Sequence, residues 1–171
     1  GELLPEVIAG MLGRLLQDDS RAGKEHPLLK EALEELRIVP RKPMLCPGCP
    51  HRASFFSIRQ ALPNAVNPSD IGCYTLGVNQ KAVDAVVDMG ASVTMGSGFF
   101  LAHKAAGIDR PVVTTIGDST FFHMGFPGLA SAVYNRHAFV LAILDNSITA
   151  MTGGQANPAV GTKLRKGDEG R

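Results

Sequence analysis

The chain has 171 residues, 44% apolar and 19% charged, which is enough to fill a domain-sized core and excludes a disordered or fibrous chain. A net charge of +1 leaves no electrostatic footprint for nucleic acid or for an anionic membrane surface. The longest apolar runs, such as Ala138 to Leu144, are too short to span a bilayer. Three cysteines, an odd number, argue against a disulfide scaffold and fit a reducing cytoplasm. Gly1-Glu2-Leu3-Leu4-Pro5 lacks the pattern of a signal peptide. With no initial Met and a charged close from Thr162 to Arg171, the chain is expected to be a fragment of a longer one.

Leu3 to Leu16 carries apolar residues at helical spacing, and so does Pro27 to Leu36, where Glu31, Glu34 and Glu35 form a polar face. Asp18 to Lys24 reads as the loop between them. Pro40 and Pro43 break helical structure and close a helical lead-in over residues 1–42. Over residues 43–155 the pattern is α/β. Arg52 to Leu62 reads as a helix and Asp70 to Thr75 as a strand end. Ala82 to Val87 fits helix or strand, and Gly96 to Gly107 reads as a helix. Pro111 to Ile116 is a β-branched run and hence a buried strand, Phe122 to Asn135 a helix, and Ala138 to Leu144 a second buried strand. Strands apolar on both faces and separated by a helix predict a parallel sheet with helices on both faces. Residues 156–171 read as a polar, mobile tail.

Gly117-Asp118-Ser119 ends one predicted strand and Asp145-Asn146-Ser147 ends the next. A right-handed strand–helix–strand unit brings both to the carboxyl edge of the sheet, where open α/β sheets bind ligands. A carboxylate and an amide oxygen are hard ligands, suited to Mg²⁺ or Ca²⁺. Gly117 would let a phosphate approach the backbone, while Ser119 and the helix start near Thr120 offer hydroxyls and free N–H groups. A lone Gly-Asp is an ordinary helix cap; the second polar cluster favours a ligand site.

Cys46-Pro47-Gly48-Cys49 is a C-x-x-C, with Cys73 further on. The residues alone leave open a redox dithiol, a Zn²⁺ knuckle, an iron–sulfur half-site or three buried thiols. His51 and His123 are the candidate catalytic proton carriers, and a His without a visible partner reads first as a hydrogen-bonded structural residue.

Between Ser119 and Asn146 lie 26 residues, and this spacing resembles the signature of thiamine-diphosphate enzymes. The resemblance implies that Asp118, Asn146 and the backbone carbonyl of Ile148 hold Mg²⁺, with Ser119 where the family has glycine. Asp88-Met89-Gly90 resembles the turn that meets the aminopyrimidine, which assigns Gly90 to the cofactor. The match becomes narrower when four motifs are taken in order: Cys46 to His51, Ile71 to Leu76, Gly117 to Gly128 and Asp145 to Gln155. Together they resemble the indolepyruvate ferredoxin oxidoreductase α subunit, over roughly two-thirds of the chain. Thr152-Gly153-Gly154-Gln155 is similar to a motif of the pyruvate enzymes and assigns Thr152 to the cofactor.

What the resemblance implies is oxidative decarboxylation of a 2-oxoacid, an aryl pyruvate such as indolepyruvate, to an acyl-CoA. Coenzyme A and ferredoxin would be partners, with further domains of the same chain and a β subunit. In relatives of that family Cys46, Cys49 and Cys73 correspond to three ligands of a [4Fe–4S] cluster; the fourth cysteine is absent and Pro50 replaces a glycine. No glutamate stands out as the acid for the aminopyrimidine, because Glu25, Glu31, Glu34 and Glu35 fall on a solvated face. The isolated chain is therefore expected to be inactive. Two alternatives remain: a subunit of a non-redox thiamine-diphosphate decarboxylase, which needs no cysteines, and a non-enzymatic Zn²⁺-binding module.

Overall fold

The structure, a computed structural model, describes residues 5–17, 35 and 42–161. The chain divides into two compact units, Gly1–Lys42 and Pro43–Arg171. In the first, α1 (Pro5–Leu16) matches the predicted opening helix. The predicted loop at 18–24 lies outside the described residues, as does the helix at 27–36 apart from the exposed, helical Glu35. Residues 162–171 of the predicted tail are outside them too.

The second unit holds a four-stranded sheet in the order β2-β1-β3-β4, with every neighbouring pair parallel. Its first helix, α2 (Pro50–Ala61), opens on Pro50, where the missing N–H costs nothing, and buries His51 and Phe55. Then follow β1 (Pro68–Ser69), a 3₁₀ helix (Cys73–Gln80), β2 (Ala85–Val86) and α3 (Ala91–Ala106). After β3 (Val113–Gly117) the chain turns at once into α4 (Asp118–Thr120), a π turn (Phe121–Gly125) and α5 (Phe126–Tyr134). Pro127 in the first turn of α5 has no N–H to donate back into the preceding turn, and the widened π turn falls where that bond is lost. Last come β4 (Val140–Leu144) and a 3₁₀ turn (Pro158–Val160).

β3 and β4 pair in parallel from Val113 opposite Val140 to Gly117 opposite Leu144, as the crossover unit predicts. Two apolar clusters flank the sheet. Phe55, Tyr74, Val83 and Leu144 form one, and Val93, Ile116 and Phe121, with Leu141 against them, form the other. Leu141 and Leu144 differ in parity along β4 and so point to opposite faces of the sheet.

Two expectations need correction, and one open reading is resolved. The strand predicted at Asp70 to Thr75 lies just upstream, at Pro68–Ser69; Asp70 leaves the sheet and Cys73 starts a 3₁₀ helix. The stretch 82–87, left open between helix and strand, contains β2. β4 is not a buried strand but the edge of the described sheet, with Val140 52% and Ile143 42% exposed. Apolar composition marks a strand covered on both faces, and here only part of that cover belongs to the described residues.

Candidate functional site

At the carboxyl edge of the sheet lies a cleft of about 170 Å³. The ends of β3 and β4 supply Gly117, Asp118, Ser119 and Thr120 on one side and Asn146, Ile148 and Thr152 on the other. These are all the residues assigned from sequence to the diphosphate and Mg²⁺, together with Thr152 of the T-G-G-Q motif. His51 and Cys73 line the cleft as well, together with Tyr74 and Met89. Three assigned groups fall outside its lining: Gly90, Cys46 with Cys49, and His123. His123 is exposed, with its Nδ1 2.7 Å from the carbonyl oxygen of Ser119. A carbonyl only accepts, so Nδ1 carries the hydrogen.

Asp118 is 3% exposed because it begins a helix directly at the sheet edge. Its Oδ2 accepts a hydrogen bond from Asn157 Nδ2 at 2.9 Å. Among the described residues Oδ1 has no hydrogen-bond partner. A buried carboxylate with an oxygen open to a cleft calls for a cation, since an unpaired buried charge is costly. Across the cleft the loop after β4 is shaped by its own side chains. Asn146 Oδ1 accepts the N–H of Ile148 at 3.2 Å, and Asp145 Oδ1 accepts the N–H of Ser147 at 2.8 Å. Ser147 sits in the left-handed region, at φ +57°. The Asn146 oxygen keeps a second lone pair for a cation. Thr149 Oγ1 donates to Ser119 Oγ at 2.8 Å, tying this loop to the start of α4. The serine that departs from the family glycine is thus the anchor of the opposite wall.

Asn157 was placed by sequence in a mobile tail, and that expectation is wrong for residues 156–161. Asn157 is 5% exposed, its Oδ1 caps the 3₁₀ turn by accepting from the N–H of Ala159, and its amide holds Asp118. The Asn157-Pro158 pair is a turn signal and was the available clue.

Tyr74 is the second residue missed from sequence. Its hydroxyl lies 3.0 Å from Thr120 Oγ1 and donates to the carbonyl of Ile71 at 2.9 Å. The ring packs so closely on Gly117 that a Cβ there would overlap Tyr74 Cε1. Gly117 has φ −78°, which any residue adopts, so its glycine answers the Tyr74 ring and not a backbone twist. The reason given from sequence, room for a phosphate, is not the one this geometry requires. Burial pushes the Tyr74 phenol up from its ordinary value, against the Thr120 hydrogen bond. Burial also holds the His51 imidazole below its ordinary value, although Asp118 pulls the other way.

Asp70 was missed as well. It is fully buried and its carboxylate accepts the N–H groups of Ile71 (2.9 Å), Gly90 (2.8 and 2.9 Å to the two oxygens) and Ser92 (3.2 Å). Gly90 needs its glycine, at φ +88°. Asp70 therefore pins the Gly90 turn to the Ile71 wall of the cleft. The Cys73 thiol is pushed up by burial and by the neighbouring Cys49 and Cys46. Even so, among the described residues no group of three His, Cys, Asp or Glu side chains is arranged to hold a metal ion.

A parallel α/β sheet with polar side chains gathered at the carboxyl ends of adjacent strands is the architecture of a cofactor-binding domain. A family model described as thiamine pyrophosphate enzyme, C-terminal TPP binding domain, matches residues 70–169, more than half of the chain, and the chain belongs to this family. Among curated relatives it is similar to indolepyruvate oxidoreductase subunit IorA of Archaeoglobus fulgidus, 54% identical over 130 residues. The same subunit of Thermococcus kodakarensis is 52% identical over 136 residues, and that of Pyrococcus horikoshii 41% over 179. These matches cover 73%, 72% and 94% of this chain but 20%, 21% and 28% of the relatives. The fold is similar to that of 2-oxoglutarate:ferredoxin oxidoreductase from Magnetococcus marinus. The TM-score is 0.56 at 24% identity, over 70% of this chain and 42% of that one. No described helix is long and apolar enough to cross a membrane.

Proposed function

We propose that this chain is the diphosphate- and Mg²⁺-binding part of a thiamine-diphosphate-dependent 2-oxoacid oxidoreductase that passes electrons to ferredoxin. The observation that carries this is the Asp118 carboxylate, buried and with Oδ1 open to the cleft, facing Asn146 and Ile148 across it. The donor set is all oxygen: a carboxylate, an amide and a backbone carbonyl. It suits Mg²⁺, which keeps waters and phosphate oxygens as its remaining ligands. Asp118, Asn146 and the Ile148 carbonyl hold the metal, while Ser119 and Thr120 offer hydroxyls to the diphosphate. Thiamine diphosphate, when bound, supplies the electron sink that decarboxylation of a 2-oxoacid requires. His51, whose imidazole burial holds below its ordinary value, lines the cleft and is the proton carrier inside it. His123 contributes outside it, by steadying the Ser119 carbonyl.

The names of the IorA relatives support indolepyruvate as substrate. The Magnetococcus enzyme was solved with coenzyme A and succinyl-CoA, which supports an acyl-CoA product and a ferredoxin partner here too. The small share of the relatives that this chain spans supports partners in the form of further domains and a second subunit. Cys46, Cys49 and Cys73 give three thiols where a [4Fe–4S] cluster takes four ligands, so no electron path is drawn through them. Three free thiols support a reducing, cytoplasmic setting.

Calorimetric titration of thiamine diphosphate tests the proposal. Binding should require Mg²⁺, and Asp118→Ala should weaken it by more than the ~10–100-fold typical of losing an outer-shell partner. Binding unchanged by that substitution would overturn the assignment.

A further inference from the structure

Ser119 and Thr149 both line the cleft, and the hydrogen bond of 2.8 Å between them runs from the threonine to the serine. A hydroxyl has one hydrogen to give and two lone pairs to receive with. Thr149 occupies one lone pair of Ser119 Oγ, so the serine hydrogen cannot point back along the same line. The second hydrogen-bonding neighbour of Ser119 Oγ among the described residues is His123 Nδ1, at 3.5 Å. That nitrogen already carries a hydrogen, because the Ser119 carbonyl 2.7 Å from it can only accept. Both neighbours therefore present hydrogens to Ser119 Oγ, and its own hydrogen has no acceptor among the described residues.

We infer that Thr149 fixes the polarity of Ser119, making its hydroxyl a donor to an anionic ligand oxygen in the cleft; this deepens, and rests on, the reading of the cleft as a diphosphate site. A hydroxyl free to rotate serves a donor or an acceptor equally well. With Thr149 donating to it, Ser119 turns its hydrogen away from the loop, and a ligand atom that takes this hydrogen has to be an acceptor. Phosphate oxygens are charged acceptors and form the stronger, shorter class of such bonds. Receiving a hydrogen from Thr149 also polarises the Ser119 O–H and strengthens it as a donor. Thr149 acts through Ser119, which makes it a positioning residue.

The test uses the complete enzyme at saturating Mg²⁺, with calorimetry for the affinity of thiamine diphosphate and the phosphorus NMR spectrum of the bound cofactor. Ser119→Ala should weaken binding about tenfold or more, the scale of a hydrogen bond to a charged group. Thr149→Val keeps the shape but has no hydrogen to give; it should weaken binding about two- to tenfold, and Thr149→Ser should restore it. Ser119→Ala and Thr149→Val should shift the same phosphorus resonance, and Thr149→Val should cost nothing further once Ser119 is replaced by alanine. A threonine that merely braced the loop would weaken binding without shifting that resonance, and this result would overturn the inference. Affinity and spectrum unchanged by Ser119→Ala, while Asp118→Ala abolishes binding, would overturn it too and leave the diphosphate reading standing. Binding unaffected by Asp118→Ala would remove both.

Discussion

Asp70 spends all of its hydrogen-bonding capacity on backbone N–H groups at the cleft wall, and Gly90 takes both of its oxygens. Asp70→Asn keeps the size but turns one acceptor into a donor facing other donors. It should cost about 1–3 kcal/mol, the price of an unsatisfied buried polar group, as read by urea unfolding. A change too small to resolve would show that the Gly90 turn holds itself. Gly117→Ala meets the Tyr74 ring and should cost about 1–3 kcal/mol by overpacking. In a Tyr74→Ala background most of that cost should vanish, with a coupling of about 0.5–3 kcal/mol in the double-mutant cycle. Additive costs would return Gly117 to the phosphate explanation. At this scale the sequence was only partly legible. Asp118 and Asn146 were readable because each directly follows a β-branched or apolar run that fixes a strand end. Asp70, Tyr74 and Asn157 were not, because they act on residues 20 to 46 positions away, and no local pattern marks such a partner.

α3 contains two glycines whose surroundings are opposite. A Cβ at Gly96 would press on Thr114 of β3 and lie 3.1 Å from the Phe139 ring, whereas Gly98 has nothing within 4 Å. In a helix interior alanine is favoured over glycine by about 0.8–1.0 kcal/mol. Gly98→Ala should therefore stabilise the domain by up to that amount. Gly96→Ala should destabilise it, because about 1–3 kcal/mol of overpacking exceeds the propensity gain. Thermal unfolding of the two variants checks the signs; shifts in the same direction would refute the packing of α3 on β3. Most helices and the two longer strands were legible from periodicity. The π turn was not, since Gly125 and Pro127 read as breakers without saying how the helix would absorb them.

Over the whole molecule, the described residues that line the cleft include no glutamate. The stretch that matches covers only 20–28% of the length of these curated relatives. The 171-residue chain by itself should not reduce a viologen dye with indolepyruvate, coenzyme A, thiamine diphosphate and Mg²⁺ under anaerobic conditions. Dye reduction that depends on Asp118, in a preparation free of any partner subunit, would show the chain to be self-sufficient. The outer edge of β4 bears on how such a preparation would behave. No described strand pairs with it, and its five residues, Val140 to Leu144, include neither a proline nor a lysine to discourage a newcomer. Concentrated alone, the chain offers one copy's unpaired amides and carbonyls to the next. It should show self-association that rises with concentration in sedimentation velocity and is suppressed by Ile143→Lys.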